Sequence, residues 1–217
     1  MDKLEYERVI EMKKVSAPRG NFNGTSAKET ETFFERMHSK NRVLPSLKDA
    51  IIKSGLKDRM TISFNHHFSN GDHIIKYVMD VIAEMGIKDL TIAASSLTDI
   101  HAPLIEHIKN GVVTHIETSG LRGELADAIS HGLMESPITF RSHGGRAAAI
   151  ESGELHIDVA FLGAPSCDPY GNANGYSRDD DNATMCGSLG YARLDAMYAD
   201  TTIILTDHLV RFPNAPF

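Results

Sequence analysis

The chain has 217 residues, carries a formal net charge of −7 and is 41% hydrophobic. This length allows one α/β domain with a sizeable core, and the acidic balance, without a lysine or arginine cluster, argues against a nucleic-acid or anionic-membrane surface. Cys167 and Cys186 form no C-x-x-C motif and Met1 is followed by charged residues, so we expect neither a disulfide framework nor a signal peptide. Without an apolar run of membrane-spanning length, the sequence predicts a cytoplasmic protein.

Residues 1–45 show little periodicity and are interpreted as an N-terminal arm, whereas residues 46–217 are predicted to form one α/β domain. In that domain helical and strand patterns alternate, and a glycine follows most of the predicted helices. Helices are predicted at 46–54, 73–85, 99–110, 122–131 and 146–152, and strands at 59–64, 89–95, 112–117, 137–141, 157–162 and 202–206. The alternation predicts a mostly parallel sheet with helices on both faces and a ligand crevice at the carboxyl ends of the strands.

The turn after the strand at 59–64 is the first candidate site. Its sequence, Asn-His-His-Phe-Ser-Asn-Gly at 65–71, leads into a helix for which Asp72 is the expected N-cap. The first N–H groups of a helix lack intrahelical partners and lie at the positive end of its dipole, so this turn could hold a developing oxyanion or a phosphate. An ordinary connection between strand and helix is the alternative. The candidate catalytic residues of this oxyanion turn are Asn65, His66, Asn70 and Gly71.

Three further strand ends carry loops rich in glycine and small polar residues, at 118–123, 142–146 and 163–175. Such residues let a ligand approach the backbone closely and supply N–H donors. Three arginines in or beside these loops add positive charge that suits a carboxylate or a phosphate; they are Arg122, Arg141 and Arg146.

Searches for established motifs find no phosphate-binding P-loop, dinucleotide fingerprint, zincin motif or nucleophile elbow in the sequence. A metal site is not predicted either. His66, His67 and His73 are close in sequence, but adjacent strand residues point to opposite faces and no matched acidic ligand follows. The acidic run at 179–181 is interpreted as a solvated loop.

Together these loops resemble those of the N-terminal part of the citrate lyase alpha subunit family, the citrate–acetyl-carrier-protein transferases of the CoA-transferase superfamily. Distinctive stretches include Thr-Ser-Gly-Leu-Arg-Gly at 118–123 and Ser-His-Gly-Gly-Arg at 142–146. The full set of matching segments is 46–55, 63–72, 78–83, 99–104, 111–114, 118–123, 142–146, 153–163, 165–168, 171–176 and 186–192. Residues 177–184 depart from the family pattern and are interpreted as a local insertion.

The resemblance implies a CoA-transferase-like or sugar-phosphate-isomerase-like half of a two-half enzyme, inactive without the second half. The family moves an acyl-carrier thiol from acetate to citrate, so the implied partners are citrate and acetate, an acyl carrier subunit and a lyase beta subunit in a hetero-oligomer. Because the CoA-like prosthetic group sits on the carrier, no tightly bound cofactor is expected. The implied substrate-binding residues are Ser119, Gly120, Arg122, Ser142, His143, Gly144, Gly145 and Arg146.

Other interpretations stay open at this point. Arg122 and Arg146 could instead pair with Glu124 or Glu151, and the two loop serines could serve only as hydrogen-bonding groups. A sugar-phosphate isomerase-like enzyme would require strand-end carboxylates to converge on one pocket, chiefly those of Asp72, Glu117 and Asp168. A non-catalytic assembly half-domain would instead expose a large apolar patch.

Overall fold

The computed structural model describes residues 8–12, 41–65, 73–179, 182–186 and 190–214. Three predicted residues of the oxyanion turn, His66, Asn70 and Gly71, lie outside the described residues, as does Asp72. The described helices are α1 (Leu47–Ser54), α2 (Ile74–Glu84), α3 (Leu104–Lys109), α4 (Gly123–Ser130), α5 (His143–Ser152) and α6 (Gly190–Tyr198), with a one-turn 3₁₀ helix at Asp99–His101.

Eight strands form the main sheet, in the spatial order β2-β1-β12-β7-β3-β4-β5-β6. Their bounds are β1 (Arg8–Met12), β2 (Val43–Leu44), β3 (Thr61–Asn65), β4 (Leu90–Ala94), β5 (Val113–Thr118), β6 (Thr139–Phe140), β7 (Val159–Gly163) and β12 (Thr201–Thr206). All neighbouring pairs from β12 to β6 are parallel, whereas β1 pairs antiparallel with β12 and β2. The predicted mostly parallel sheet is confirmed.

Four short strands lie outside the main sheet and form two antiparallel pairs. The first joins β8 (Ser166–Cys167) to β9 (Ala173–Asn174), and the second joins β10 (Tyr176–Asp179) to β11 (Asn182–Met185). The second pair occupies the segment interpreted as an insertion. Asp179, predicted to lie in a solvated loop, instead ends β10, because its backbone pairs with that of Asn182.

The two faces of the sheet differ in the size of their side chains. On one face large apolar residues such as Ile62, Phe64 and Phe161 pack against α1, α2, α3 and α4. On the other face Ala93 and Ala160 pack against α5 and α6, which themselves contribute small residues. Strand side chains alternate between faces, so Ser63 and Asn65 lie on the second face with these alanines. The prediction of helices on both faces is confirmed, and the second face leaves room for buried polar groups.

Local sequence explains where α1 begins and ends. The Ser46 side chain accepts a hydrogen bond from the Asp49 backbone N–H at 3.1 Å, and Gly55 closes the helix in the left-handed region with a φ of 76°. Ser46 is an N-cap and Gly55 a C-cap, and each satisfies backbone groups that have no partner within the helix. The predicted helix at 46–54 is confirmed.

Several predicted boundaries differ from the observed ones. α5 begins at His143 rather than at 146, because the Ser142 side chain caps a first turn that contains two glycines. The helix predicted at 99–110 is divided into a 3₁₀ turn and α3, with Pro103 at the junction. The N-cap position of α2 is His73, one residue after the expected Asp72. Sequence periodicity did not predict α6, the second helix over the small-residue face.

The segment predicted as an N-terminal arm contributes backbone to the sheet. β1 pairs with β12 over five residues, and β2 pairs with β1 at the sheet edge. The division of the chain at residue 46 stays a prediction. Within the described residues, no helix combines the length and the hydropathy that a membrane span needs.

One buried histidine gives the fold a specific pH dependence. Burial of the His101 imidazole lowers its pKa to about 4, and its Nδ1 accepts a hydrogen bond from the Thr98 backbone N–H at 2.8 Å. The ordinary pKa of a histidine side chain is 6.5, so between pH 6.5 and 4 the unfolded chain binds more protons than the folded chain. The free energy of unfolding must therefore fall as the pH falls through this range.

We predict that His101 accounts for about 2 kcal/mol of stability lost between pH 7.5 and pH 5, measured by urea denaturation. The matched variant is His101→Asn, whose Oδ1 can accept the Thr98 bond but does not titrate. The variant should lose about 2 kcal/mol less than the wild type over this range. Equal losses in the two proteins would contradict the assignment.

Candidate functional site

The candidate site lies at the carboxyl edge of the sheet, where the turns after β4 and β5 are tied together. Ser95 O accepts a hydrogen bond from the Ser119 N–H at 3.0 Å, and the Leu97 N–H donates to Gly120 O at 2.8 Å. A β-bridge between Leu97 and Leu121 continues the contact. These bonds hold Ser119 and Gly120 in place, and they leave Arg122 exposed at the N-cap position of α4.

The first turn of α5 lies at the same edge, after β6. The Ser142 hydroxyl accepts a hydrogen bond from the Gly145 N–H at 3.0 Å, so its observed role is that of a helix cap. His143 and Gly144 are exposed, and a Cβ added to Gly144 would meet nothing within 4 Å. The backbone of this first turn is therefore accessible at Gly144, as the anion-binding prediction for this segment requires.

Arg141, at the start of this segment, is engaged in ion pairs. Its Nε donates to Glu117 Oε2 at 2.7 Å, and its Nη2 donates to Glu154 Oε1 at 3.1 Å. The hydrogen bond to Glu117 is the main reason that the pKa of Arg141 is raised. These contacts join the end of β5 to both ends of α5, which gives Arg141 a structural role.

Arg146 lies deep beneath the first turn of α5, with 2% of its side chain exposed. Its Nη2 donates to Asp195 Oδ1 at 2.9 Å, to Ser63 Oγ at 2.9 Å and to Ala93 O at 3.2 Å. The Ser63 hydroxyl in turn donates to Asp195 Oδ2 at 2.6 Å. The alternative pairing with Glu124 or Glu151 is therefore wrong for Arg146, since its carboxylate partner is Asp195.

The Arg146–Asp195 pair is fully enclosed, because the Asp195 side chain has no exposed surface. Burial raises the pKa of the Asp195 carboxyl, and the Arg146 guanidinium and the Ser63 hydroxyl oppose that rise. Two donor atoms of Arg146, Nε and Nη1, have no hydrogen-bond acceptor within the described part of the chain. Nη2 thus anchors the guanidinium, while Nε and Nη1 have no acceptor among the described residues.

Tyr191, near the start of α6, covers this guanidinium. The Arg146 Cζ atom lies 4.9 Å from the centre of the Tyr191 ring, and the His143 ring stacks on Tyr191 at a centroid distance of 5.0 Å. Ser119 approaches the Tyr191 hydroxyl closely enough to lower its pKa, although burial raises that pKa more strongly. Tyr191 therefore brings together the turn after β5 and the first turn of α5.

The structure brings most of the predicted site residues to one edge. Asn65 is buried at the end of β3, two residues after Ser63 on the same face. The remaining oxyanion-turn residues cannot be placed, because they fall outside the described ranges. The predicted residues at this edge are Asn65, Ser119, Gly120, Arg122, Ser142, His143, Gly144, Gly145 and Arg146.

Sequence reasoning missed Tyr191 and Asp195. Both lie on α6, four residues apart, so they occupy one face of that helix. Recognition of a helix in this segment would have placed them together, but the helix begins with a glycine, Gly190, and its apolar face is weak.

The carboxylates required by an isomerase-like mechanism do not converge among the described residues. Glu117 pairs with Arg141 at the end of β5, whereas Asp168 is fully buried after β7. Asp168 accepts hydrogen bonds from the backbone N–H groups of Tyr170, Asn172 and Asn214 at 2.9, 3.1 and 3.0 Å. Since β3 and β4 separate β5 from β7, these two strands lie about 14 Å apart.

A group of possible metal ligands lies at the opposite edge. The ligand atoms of His156, Asp158 and Asp200 are within 4.8 Å of one another. The Thr61 backbone N–H donates to Asp158 Oδ2 at 2.7 Å, and His156 Nε2 lies 3.3 Å from Asp200 Oδ2. These bonds give the cluster a structural role at the amino ends of β3, β7 and β12.

Comparison with known proteins first defines a fold class. The malonate decarboxylase alpha subunit of Acinetobacter baumannii superimposes with a TM-score of 0.51 at 14% identity, covering 76% of this chain and 28% of that chain. At this identity the likeness shows the α/β fold alone, consistent with the parallel sheet described above.

Closer relatives define the family. The family model "Citrate lyase, alpha subunit (CitF)" matches residues 40–217, so the chain belongs to the citrate lyase alpha subunit family. The citrate lyase alpha chain of Haemophilus influenzae is 57% identical over 175 residues, which is 81% of this chain and 34% of that protein. That of Klebsiella pneumoniae is 52% identical over 195 residues, covering 90% of this chain and 38% of the relative.

A solved relative agrees with this assignment. A crystal structure assigned to the alpha subunit of citrate lyase from Streptococcus mutans, in complex with citrate, superimposes with a TM-score of 0.80 at 52% identity. It covers 94% of this chain and 38% of that chain. The chain thus spans little more than a third of the length of the relatives it matches.

The buried ion pair makes a prediction about stability. Arg146→Met leaves the Asp195 carboxylate buried without its partner, so we expect the free energy of unfolding to fall by about 3–5 kcal/mol. Asp195→Leu should have a comparable effect. The double variant should lose clearly less than the sum of the two single losses, because neither charge then remains buried alone.

Urea denaturation of the wild type and the three variants gives the coupling energy as a double-mutant cycle. Strictly additive losses would contradict the prediction, because they would show that the two side chains do not stabilise each other.

Proposed function

We propose that this chain is the part of a citrate lyase alpha subunit that binds the carboxylates of citrate during transfer of an acyl-carrier thiol from acetyl to citryl. Family membership, and the citrate bound in the structure of the Streptococcus mutans relative, support citrate as the substrate. The observation that carries the proposal is the exposed first turn of α5, which lies at the positive end of that helix beside Arg146 and Tyr191 at the carboxyl edge.

Three features of this edge suit a tricarboxylate. The α5 N–H groups lie at the positive end of a ten-residue helix. Arg122 adds an exposed cation across the edge, at the start of α4. Gly144 leaves the backbone accessible, since it has no Cβ and nothing lies within 4 Å of where a Cβ would be. A carboxylate can therefore accept several charge-assisted hydrogen bonds at once.

The proposed chemistry proceeds through two acyl transfers. A citrate carboxylate oxygen attacks the carbonyl carbon of the acetyl thioester, and the carrier thiolate leaves as the mixed anhydride forms. The thiolate then attacks the citryl carbonyl of the anhydride, which releases acetate and leaves citryl on the carrier. Each step passes through a tetrahedral oxyanion, for which N–H donors are effective stabilisers. The oxyanion turn that we assign to Asn65, His66, Asn70 and Gly71 stays a prediction.

In this proposal the complete enzyme converts citrate to acetate and oxaloacetate in a cytoplasmic complex with an acyl carrier subunit and a lyase beta subunit. The CoA-like prosthetic group belongs to the carrier, and this chain supplies donors without a tightly bound cofactor. A second half of the alpha subunit supplies the remaining groups, so this chain alone should not turn over.

Gly144→Ala in the full-length alpha chain tests the proposed substrate site. The added methyl group has room in the free protein, and alanine is favoured over glycine within a helix by up to about 1 kcal/mol, so the melting temperature should not fall. A carboxylate bound against the α5 N–H groups would meet this methyl group. We expect kcat/KM for citrate to fall by about tenfold to a hundredfold in a carrier thioester exchange assay.

His156→Ala is the control, because His156 is exposed at the opposite edge of the sheet. It should leave the exchange kinetics unchanged. Wild-type citrate kinetics in the Gly144→Ala enzyme would overturn the proposed site.

A further inference from the structure

The Tyr191 hydroxyl is buried and makes no well-formed hydrogen bond within the residues that the structure describes, although the Ser119 side chain lies near it. The ring itself is firmly held, with His143 stacked on it and the Arg146 guanidinium 4.9 Å from its centre. Packing therefore accounts for the ring but not for the hydroxyl. A phenylalanine would make the same ring contacts without leaving a buried polar atom unsatisfied.

Other unsatisfied donors lie beside the Tyr191 ring. Those among the described residues include Arg146 Nε, Arg146 Nη1 and the Asn65 amide nitrogen. A buried donor without a partner destabilises the folded protein, so a group of them in one place requires an explanation. Contacts place them together: Arg146 bonds Ser63 and Asp195, the Asn65 side chain also faces the Asp195 carboxyl, and the guanidinium lies against the Tyr191 ring.

We propose that the Tyr191 hydroxyl donates a hydrogen bond to a substrate carboxylate, beside the two unpaired nitrogens of Arg146. The inference rests on the proposed function and names the side chains that would recognise the anion. All four atoms are donors, which suits a carboxylate and not a cation or a neutral donor. The Asp195 carboxylate already balances the charge of Arg146 and holds the guanidinium in position, so the free N–H groups are preorganised.

The ionisation state of Tyr191 agrees with a donor role. Burial raises the pKa of its hydroxyl above the ordinary value of 10.0, so the group keeps its proton at neutral pH. The exposed His143 ring, in the first turn of α5, stacks on Tyr191 and so joins the proposed donor to that turn.

Tyr191→Phe in the full-length alpha chain tests the inference, because it removes one hydroxyl and keeps the ring. A hydrogen bond to a charged ligand contributes about 1.5–3 kcal/mol, so the dissociation constant for citrate, measured by calorimetry, should rise by about tenfold or more. The KM for citrate should rise by a similar factor. Thermal stability without citrate should be unchanged or higher, because the hydroxyl is unsatisfied in the free protein.

Tyr198→Phe is the matched control, since it removes a hydroxyl from the same helix two turns further on. It should leave citrate binding unchanged.

If wild-type protein binds citrate and Tyr191→Phe binds it equally well, the inference is wrong while the proposed function stands. The inference is also wrong if Tyr191→Phe lowers thermal stability without changing citrate affinity. That result would indicate that the hydroxyl makes a structural bond with Ser119. If the wild type does not bind citrate, both proposals fail.

Discussion

The arrangement of the candidate site depends on one buried ion pair, between Arg146 on α5 and Asp195 on α6. Both side chains bond the Ser63 hydroxyl on the central strand β3, so a single group of contacts fixes two helices to the sheet. Removal of two charges from water is costly, and such a pair persists only where hydrogen bonds compensate the desolvation. His143 lies one helical turn before Arg146, and Tyr191 lies one helical turn before Asp195. The ion pair therefore also determines where these two rings stack at the carboxyl edge.

The small side chains of this sheet face make the pair possible. Ala93 and Ala160 leave space beneath α5 and α6, whereas the opposite face is filled by large apolar residues such as Phe64 and Phe161, whose rings stack at 5.4 Å. The sheet therefore has one face that supplies apolar packing and one that carries buried polar groups. The second face supplies the buried side chains of the proposed substrate site, whereas α4 on the first face contributes Arg122 at the same edge.

Much of this fold could be predicted from sequence, since the parallel strands and most helix ends depend on local patterns. Ser46 and Gly55 mark α1 unambiguously, and the apolar strand at β7 is recognisable from composition alone. The start of α5 was predicted too late because Gly144 and Gly145 are poor helix formers, and only the Ser142 cap reveals the turn. The partner of Arg146 could not be predicted, because Asp195 is 49 residues away and periodicity gave no sign of α6.

The central claim is that substrate carboxylates bind at the edge formed by the turn after β5 and the first turn of α5. Hydrogen–deuterium exchange of the full-length alpha chain, with and without saturating citrate, tests it without any substitution. We expect citrate to slow amide exchange at 118–122 and 142–146 and to leave exchange unchanged at 156–159 on the opposite edge. Protection confined to other segments, with 142–146 unaffected, would contradict it.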